Sequence, residues 1–174
     1  MGGRLAMKNM FEPVIVCFCC RWCSYAAADL AGTMRLQYPA SVRIVYVPCT
    51  GRVASVHLLR SLEKGADGVF VSGCLPGDCH YQTGNARAAK RVAHVKELVA
   101  SIGMNPDRVE MFFNSAAMGP QFARCCIDFT ERIRKLGPGL RGGSGGAGLV
   151  KSGSHGHTDR ESSSEAHHGE RGLP

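Results

Sequence analysis

The chain has 174 residues, nine cysteines and a formal net charge of +7. No stretch approaches the roughly 18 consecutive apolar residues of a membrane-spanning helix, and residues 1–11 lack the apolar segment of a secretory signal. The expectation is a cytoplasmic protein whose cysteines serve metal or redox chemistry rather than disulfide staples. From Gly137 onward the chain holds 11 of its 22 glycines and 4 of its 7 histidines, with almost no apolar content. This composition predicts a disordered Gly/Ser/His-rich tail over 137–174, because it buries too little surface to offset ordering entropy. One domain over 12–136 remains, and all of the net charge lies ahead of the tail, with 17 Lys/Arg against 10 Asp/Glu over residues 1–136.

Within that domain strand and helix signals alternate four times. Residues 14–18 form a short β-branched run, followed by a helical segment over 25–36. The intervening turn is Cys20-Arg21-Trp22-Cys23-Ser24. A dinucleotide fold needs Gly-x-Gly-x-x-Gly there, so that backbone amides can approach a pyrophosphate, and this chain does not have it. The scaffold is nucleotide-like and the site is not.

A second strand over 42–47 leads to Pro48-Cys49-Thr50-Gly51-Arg52. Leu58, Leu59 and Leu62 then mark a helix over 54–64 that stops at Gly65. The third strand, 68–71, is followed by Cys74-Leu75-Pro76-Gly77-Asp78-Cys79, where Pro second and Gly third describe a type II turn. A long helix over 86–102 ends at Gly103. The fourth strand, 109–113, precedes a last helix from about Pro120, with Phe122, Cys126, Phe129, Ile133 and Leu136 on one face.

Four β-α units predict a four-stranded parallel sheet with helices on both faces, a flavodoxin-like or Rossmann-like three-layer α/β fold. The expected strand order is 2-1-3-4. Ligands of such sheets bind beyond the carboxyl ends of the strands. Cys20, Cys23, Cys49, Cys74 and Cys79 each follow a predicted strand, so the topology brings them to one edge. Five thiols there suit an iron–sulfur cluster, zinc, or disulfide chemistry. Arg21, Arg52 and His80 adjoin the site cysteines, where cationic groups would favour a reduced cluster. Trp22, the only tryptophan, is a candidate cover or partner anchor. Cys17, Cys19, Cys125 and Cys126 read as core residues.

The motifs Cys20 to Thr33 with Gln37-Tyr38-Pro39, Cys49 to Val53, Gly65 to Val69, and Gly73 to Tyr81 with Gly84-Asn85 resemble one family. It is the iron–sulfur delta subunit of methyl-viologen-reducing (F420-non-reducing) hydrogenases, and the resemblance runs from about Pro13 to Leu136. It implies a small [2Fe–2S] electron carrier without catalysis of its own. Members of that family pass electrons between a hydrogenase or formate dehydrogenase and a heterodisulfide reductase A-like flavoprotein; for this chain no nucleic-acid or membrane partner is expected. The resemblance also implies that the five cysteines carry over and that four are ligands. The Cys20/Cys23 and Cys74/Cys79 pairs would supply two thiolates per iron most simply, leaving Cys49 over. Arg21 stands where the family pattern has Asn, and the tail has no counterpart in the family motifs. Two other readings stand beside this one: a thiol–disulfide oxidoreductase using Cys20 and Cys23, and a structural zinc-binding adaptor.

Overall fold

A computed structural model describes residues 11–140; the rest of the predicted tail, 141–174, lies outside the described residues. The strands are β1 (Ile15–Cys20), β2 (Val42–Val47), β3 (Gly68–Gly73) and β4 (Val109–Phe113). The helices are α1 (Ala26–Thr33), α2 (Ser55–Glu63), α3 (Gly84–Ser101) and α4 (Gly119–Leu136). A π-helical turn, Arg21–Tyr25, joins β1 to α1, and short 3-10 turns occupy Thr50–Arg52 and Pro106–Arg108.

All pairings are parallel and the order is β2-β1-β3-β4, the order expected from the sequence. The two central strands differ from the outer ones in burial. Every residue of β3 is buried and β1 is nearly so, while β2 and β4 each bury only their first residue, Val42 and Val109. A strand covered on both faces needs apolar or small residues at each position, which explains Ile15–Cys20 and Gly68–Gly73.

Side-chain alternation divides the core into two layers. Ile15, Cys17 and Cys19 pack with Ala27, Phe122 and Phe129 beneath α1 and α4. Phe18, Val69 and Val71 pack with Leu58, Val92 and Val95 beneath α2 and α3. Gly68 lets α4 close onto β3, since a Cβ there would lie 2.7 Å from Ile133 Cγ1. Among the described residues no helix is long and apolar enough to cross a membrane.

A polar clip closes the amino-terminal edge of the sheet. Asp67 accepts the Val14 N–H at 2.8 Å through one carboxylate oxygen and the Gly139 N–H at 2.7 Å through the other. The buried Arg108 guanidinium donates to the carbonyls of Asp67, Leu136, Gly137 and Pro138 at 2.9–3.2 Å. These contacts hold residues 137–139 against the domain.

Candidate metal centre

Parallel strands point the same way, so the segments that follow them meet at one edge. Cys20 ends β1, and the π turn carries Cys23 and Ser24 inward while Arg21 and Trp22 face solvent. Single π turns often sit at functional sites, and the wider turn here re-aims one thiol. Cys49 caps the 3-10 turn after β2 and accepts the Gly51 N–H at 3.4 Å. Arg91 secures that loop by donating to the carbonyls of Gly51 at 2.7 Å and Val53 at 3.0 Å.

Cys74 follows β3 directly. The Asp78 N–H donates to the Leu75 carbonyl at 3.0 Å and Gly77 takes φ 90°, giving the type II turn read from Pro76-Gly77. The buried Asn85 amide fixes the start of this loop on the carbonyls of Cys74, at 3.0 Å, and Leu75, at 2.8 Å.

The five predicted sulfurs come together as a buried cluster separate from both core layers. Cys20, Cys23 and Cys74 have sulfurs mutually within 4.8 Å, and Cys20 Sγ lies 3.9 Å from Cys74 Sγ. Cys79 neighbours Cys49 instead. The sulfurs therefore group as Cys20/Cys23/Cys74 and Cys49/Cys79, which differs from the simple division by sequence pairs. The type II turn reverses the chain far enough to deliver Cys79 to the loop after β2. Gly84 makes this possible: a Cβ there would overlap Cys49 Sγ and lie 3.1 Å from Cys79 Sγ.

Electrostatics favour a cation among these sulfurs. A hydrogen bond from the Cys23 thiol, with backbone N–H groups of Trp22 and Thr50, holds Cys20 down at about 6 against burial. Cys23 is pushed up in turn, by the bond to Cys20 first and by burial second. Burial is also the main cause raising Cys49 and Cys74. At Cys79 burial raises, but the N–H groups of Asn85, Tyr81 and Gly84 outweigh it, so the thiol sits below its usual value. Crowded thiols cannot all ionise unless a positive centre compensates them. All five are free thiols, and soft donors of this kind fit iron–sulfur clusters or zinc.

The remaining predicted site residues form the rim. Trp22 stacks on His80 with ring centroids 3.9 Å apart, and the Arg21 guanidinium lies 5.5 Å from the Trp22 ring centroid. Arg52 and Arg87 line a cavity of about 440 Å³ with Cys49, Tyr81 and Gly84. A second cavity, about 240 Å³, lies over Cys23 and Cys74 beside Trp22 and His80. The other four cysteines are buried as read from the sequence, with Cys17, Cys19 and Cys126 in the α1/α4 layer. Sequence reasoning assigned no role to Ser24, Gly84 or Asn85. A Gly opening a helix beside two cysteine loops is the one signal that could have drawn attention to Gly84.

Comparison with known proteins places the chain in a family. Residues 15–137 match the family described as methyl-viologen-reducing hydrogenase, delta subunit. The vhu iron–sulfur subunit of the F420-non-reducing hydrogenase of Methanocaldococcus jannaschii is 50% identical over 127 residues, covering 73% of this chain and 95% of that protein. The iron–sulfur subunit of the F420-non-reducing hydrogenase of Archaeoglobus profundus is 46% identical over 132 residues, 76% of this chain and 96% of its own length. A 126-residue stretch is also 40% identical to one subunit of the ferredoxin:CoB-CoM heterodisulfide reductase of Methanosarcina mazei, covering 72% of this chain but 16% of that protein. With half of the aligned residues identical along almost the whole length of the Methanocaldococcus protein, and the matched span covering every β-α unit and all five site cysteines, the chain belongs to the methyl-viologen-reducing hydrogenase delta-subunit family.

Proposed function

We propose that the chain is a cytoplasmic [2Fe–2S] electron-transfer subunit, relaying electrons between a hydrogenase or formate dehydrogenase and a heterodisulfide reductase A-like flavoprotein. The observation that carries this reading is the buried set of five free thiols at the carboxyl edge of the sheet. Four of Cys20, Cys23, Cys49, Cys74 and Cys79 would hold the cluster, with Cys49 and Cys79 at one end and two of the remaining three at the other. When bound, such a cluster supplies reversible one-electron exchange.

The protein's own residues do the rest. Backbone N–H groups aimed at the sulfurs stabilise negative charge, and the buried position restricts water. Trp22, His80, Arg21 and Arg52 shape the rim that a partner would meet. Similarity both to free-standing hydrogenase subunits and to a segment of a heterodisulfide reductase protein supports a place between those two kinds of protein.

The test is anaerobic purification with iron and acid-labile sulfide assayed on the same sample. A brown protein with about two irons and two sulfides, bleached by dithionite, is the expected result. A colourless protein holding zinc, or a metal-free one with a titratable Cys20–Cys23 disulfide, overturns the reading.

A further inference from the structure

A line of polar side chains runs through the carboxyl end of the sheet where apolar packing would suffice. Asn114, Ser72 and Ser24 are each fully buried. Asn114 follows β4 and donates through Nδ2 to Ser72 Oγ at 2.9 Å. Ser72, on β3, donates to Ser24 Oγ at 2.8 Å. Ser24 Oγ lies 3.6 Å from Cys23 Sγ, within hydrogen-bond reach of a sulfur. Three elements distant in sequence thus form one file that stops at a site cysteine.

The direction of the file follows from donor chemistry. An amide nitrogen carries hydrogens and accepts nothing, so Ser72 Oγ must accept from Asn114. The single Ser72 hydrogen then goes to Ser24 Oγ, which accepts it. The single Ser24 hydrogen is left pointing to Cys23 Sγ. Burying polar hydroxyls is costly unless each is paired, and a chain of such bonds polarises its members in one sense. Here that sense delivers a positive end to sulfur.

The other site sulfurs receive backbone donors: Trp22 and Thr50 at Cys20, Gly51 at Cys49, His80 at Cys74, and Tyr81, Gly84 and Asn85 at Cys79. Those donors survive any side-chain change. At Cys23 the donor is a side-chain hydroxyl, which a substitution can remove.

We infer that Ser24, aligned by Ser72 and Asn114, is a hydrogen-bond donor to a ligating Cys23 and raises the reduction potential of the centre. The inference rests on the proposed cluster and deepens it by placing Cys23 among the ligands. Adding an electron makes the ligand sulfurs more negative, so a donor on sulfur stabilises the reduced state more than the oxidised one. Ser24 is a positioning and tuning residue, not a ligand, so its removal leaves the thiols in place.

The experiment is an anaerobic redox titration, followed by electron paramagnetic resonance, of the full chain and three variants. Ser24→Ala should hold as much iron as wild type and titrate lower, with about a tenfold change in the reduced-to-oxidised ratio at a set potential, about 59 mV for one electron. Ser72→Ala should shift the same way by less, because Ser24 keeps its hydrogen but loses its alignment. Thr130→Val removes a buried hydroxyl that bonds the Cys126 carbonyl within α4 and no member of the file, and should titrate as wild type. Fully loaded Ser24→Ala with the wild-type midpoint overturns the inference while leaving the cluster reading intact. If Ser24→Ala does not fold, Ser72→Ala with an unshifted midpoint overturns it equally. A wild-type protein without iron and sulfide overturns both.

Discussion

Trp22 lies flat on His80, with ring planes 16° apart, and so joins the π turn after β1 to the turn after β3. Neither residue is a thiol, yet together they roof the side of the centre where Cys23 and Cys74 approach the surface. Because Trp22 is the only tryptophan, its emission reports on this roof alone. Loading the centre should quench that emission, and chelation should restore it. In Trp22→Ala the cluster should bleach in air severalfold faster than in wild type, measured by loss of visible absorbance.

Replacing the thiols one at a time reads out their grouping. Cys49→Ala, Cys79→Ala and Cys23→Ala should each lose most of the iron and sulfide. One of Cys20→Ala and Cys74→Ala should keep a near-full complement if the proposed cluster takes two thiolates from the end where three sulfurs gather. Full iron in Cys49→Ala would instead restore the division by sequence pairs.

Gly84→Ala tests the close approach of helix α3 to the centre. Its Cβ would overlap Cys49 Sγ and come within 3.1 Å of Cys79 Sγ, with Gly51 N at 3.6 Å. Iron content should fall severalfold while far-ultraviolet circular dichroism stays that of the wild type. Gly77 has open space around it but needs its positive φ, so Gly77→Ala should strain the turn without touching a sulfur.

Much of this was legible in the residues, and the exceptions share a cause. Val42–Val47 and Val109–Phe113 are rich in β-branched or aromatic residues, and both strands begin and end where the residues say. β1 and β3 end two residues later than predicted, because Cys20, Ser72 and Gly73 look like loop yet serve as small, doubly buried strand residues. The first helix begins as a π turn, since Cys-Arg-Trp-Cys-Ser carries no capping signal, and it stops at Thr33, two residues before Arg35 takes φ 55°. Convergence of the five cysteines follows from parallel topology and was predictable. The union of Cys79 with Cys49, and the file Asn114–Ser72–Ser24, depend on contacts across three elements that leave no local pattern. Arg108 is the same case: a buried cation whose four acceptors come from two distant segments.

Acid should loosen the outer strand. Glu110 on β4 accepts from Lys96 of α3 at 3.0 Å and from Arg132 of α4 at 2.7 Å, so one carboxylate ties both helical layers. Burial raises its pKa, but the two cationic donors and the Met111 N–H outweigh that, and the net shift is downward. A lowered folded pKa means the contribution is full above the ordinary glutamate range and is lost as pH falls through the folded value. Glu110→Gln should cost about 1 kcal/mol near neutrality, and its thermal midpoint should depend less on pH below about 4.5 than that of the wild type.

Asp67 has a bearing on how this unit travels between proteins. By binding Val14 N–H and Gly139 N–H with its two oxygens, it draws together the points where the backbone enters and leaves the domain, on the edge away from the cysteines. A segment with adjacent ends can be spliced into, or appended to, another polypeptide without distortion. Its thiol-bearing edge stays uncovered by the join. That is the geometry a portable module needs, and a stretch 40% identical over 126 residues makes up 16% of the much longer Methanosarcina mazei protein.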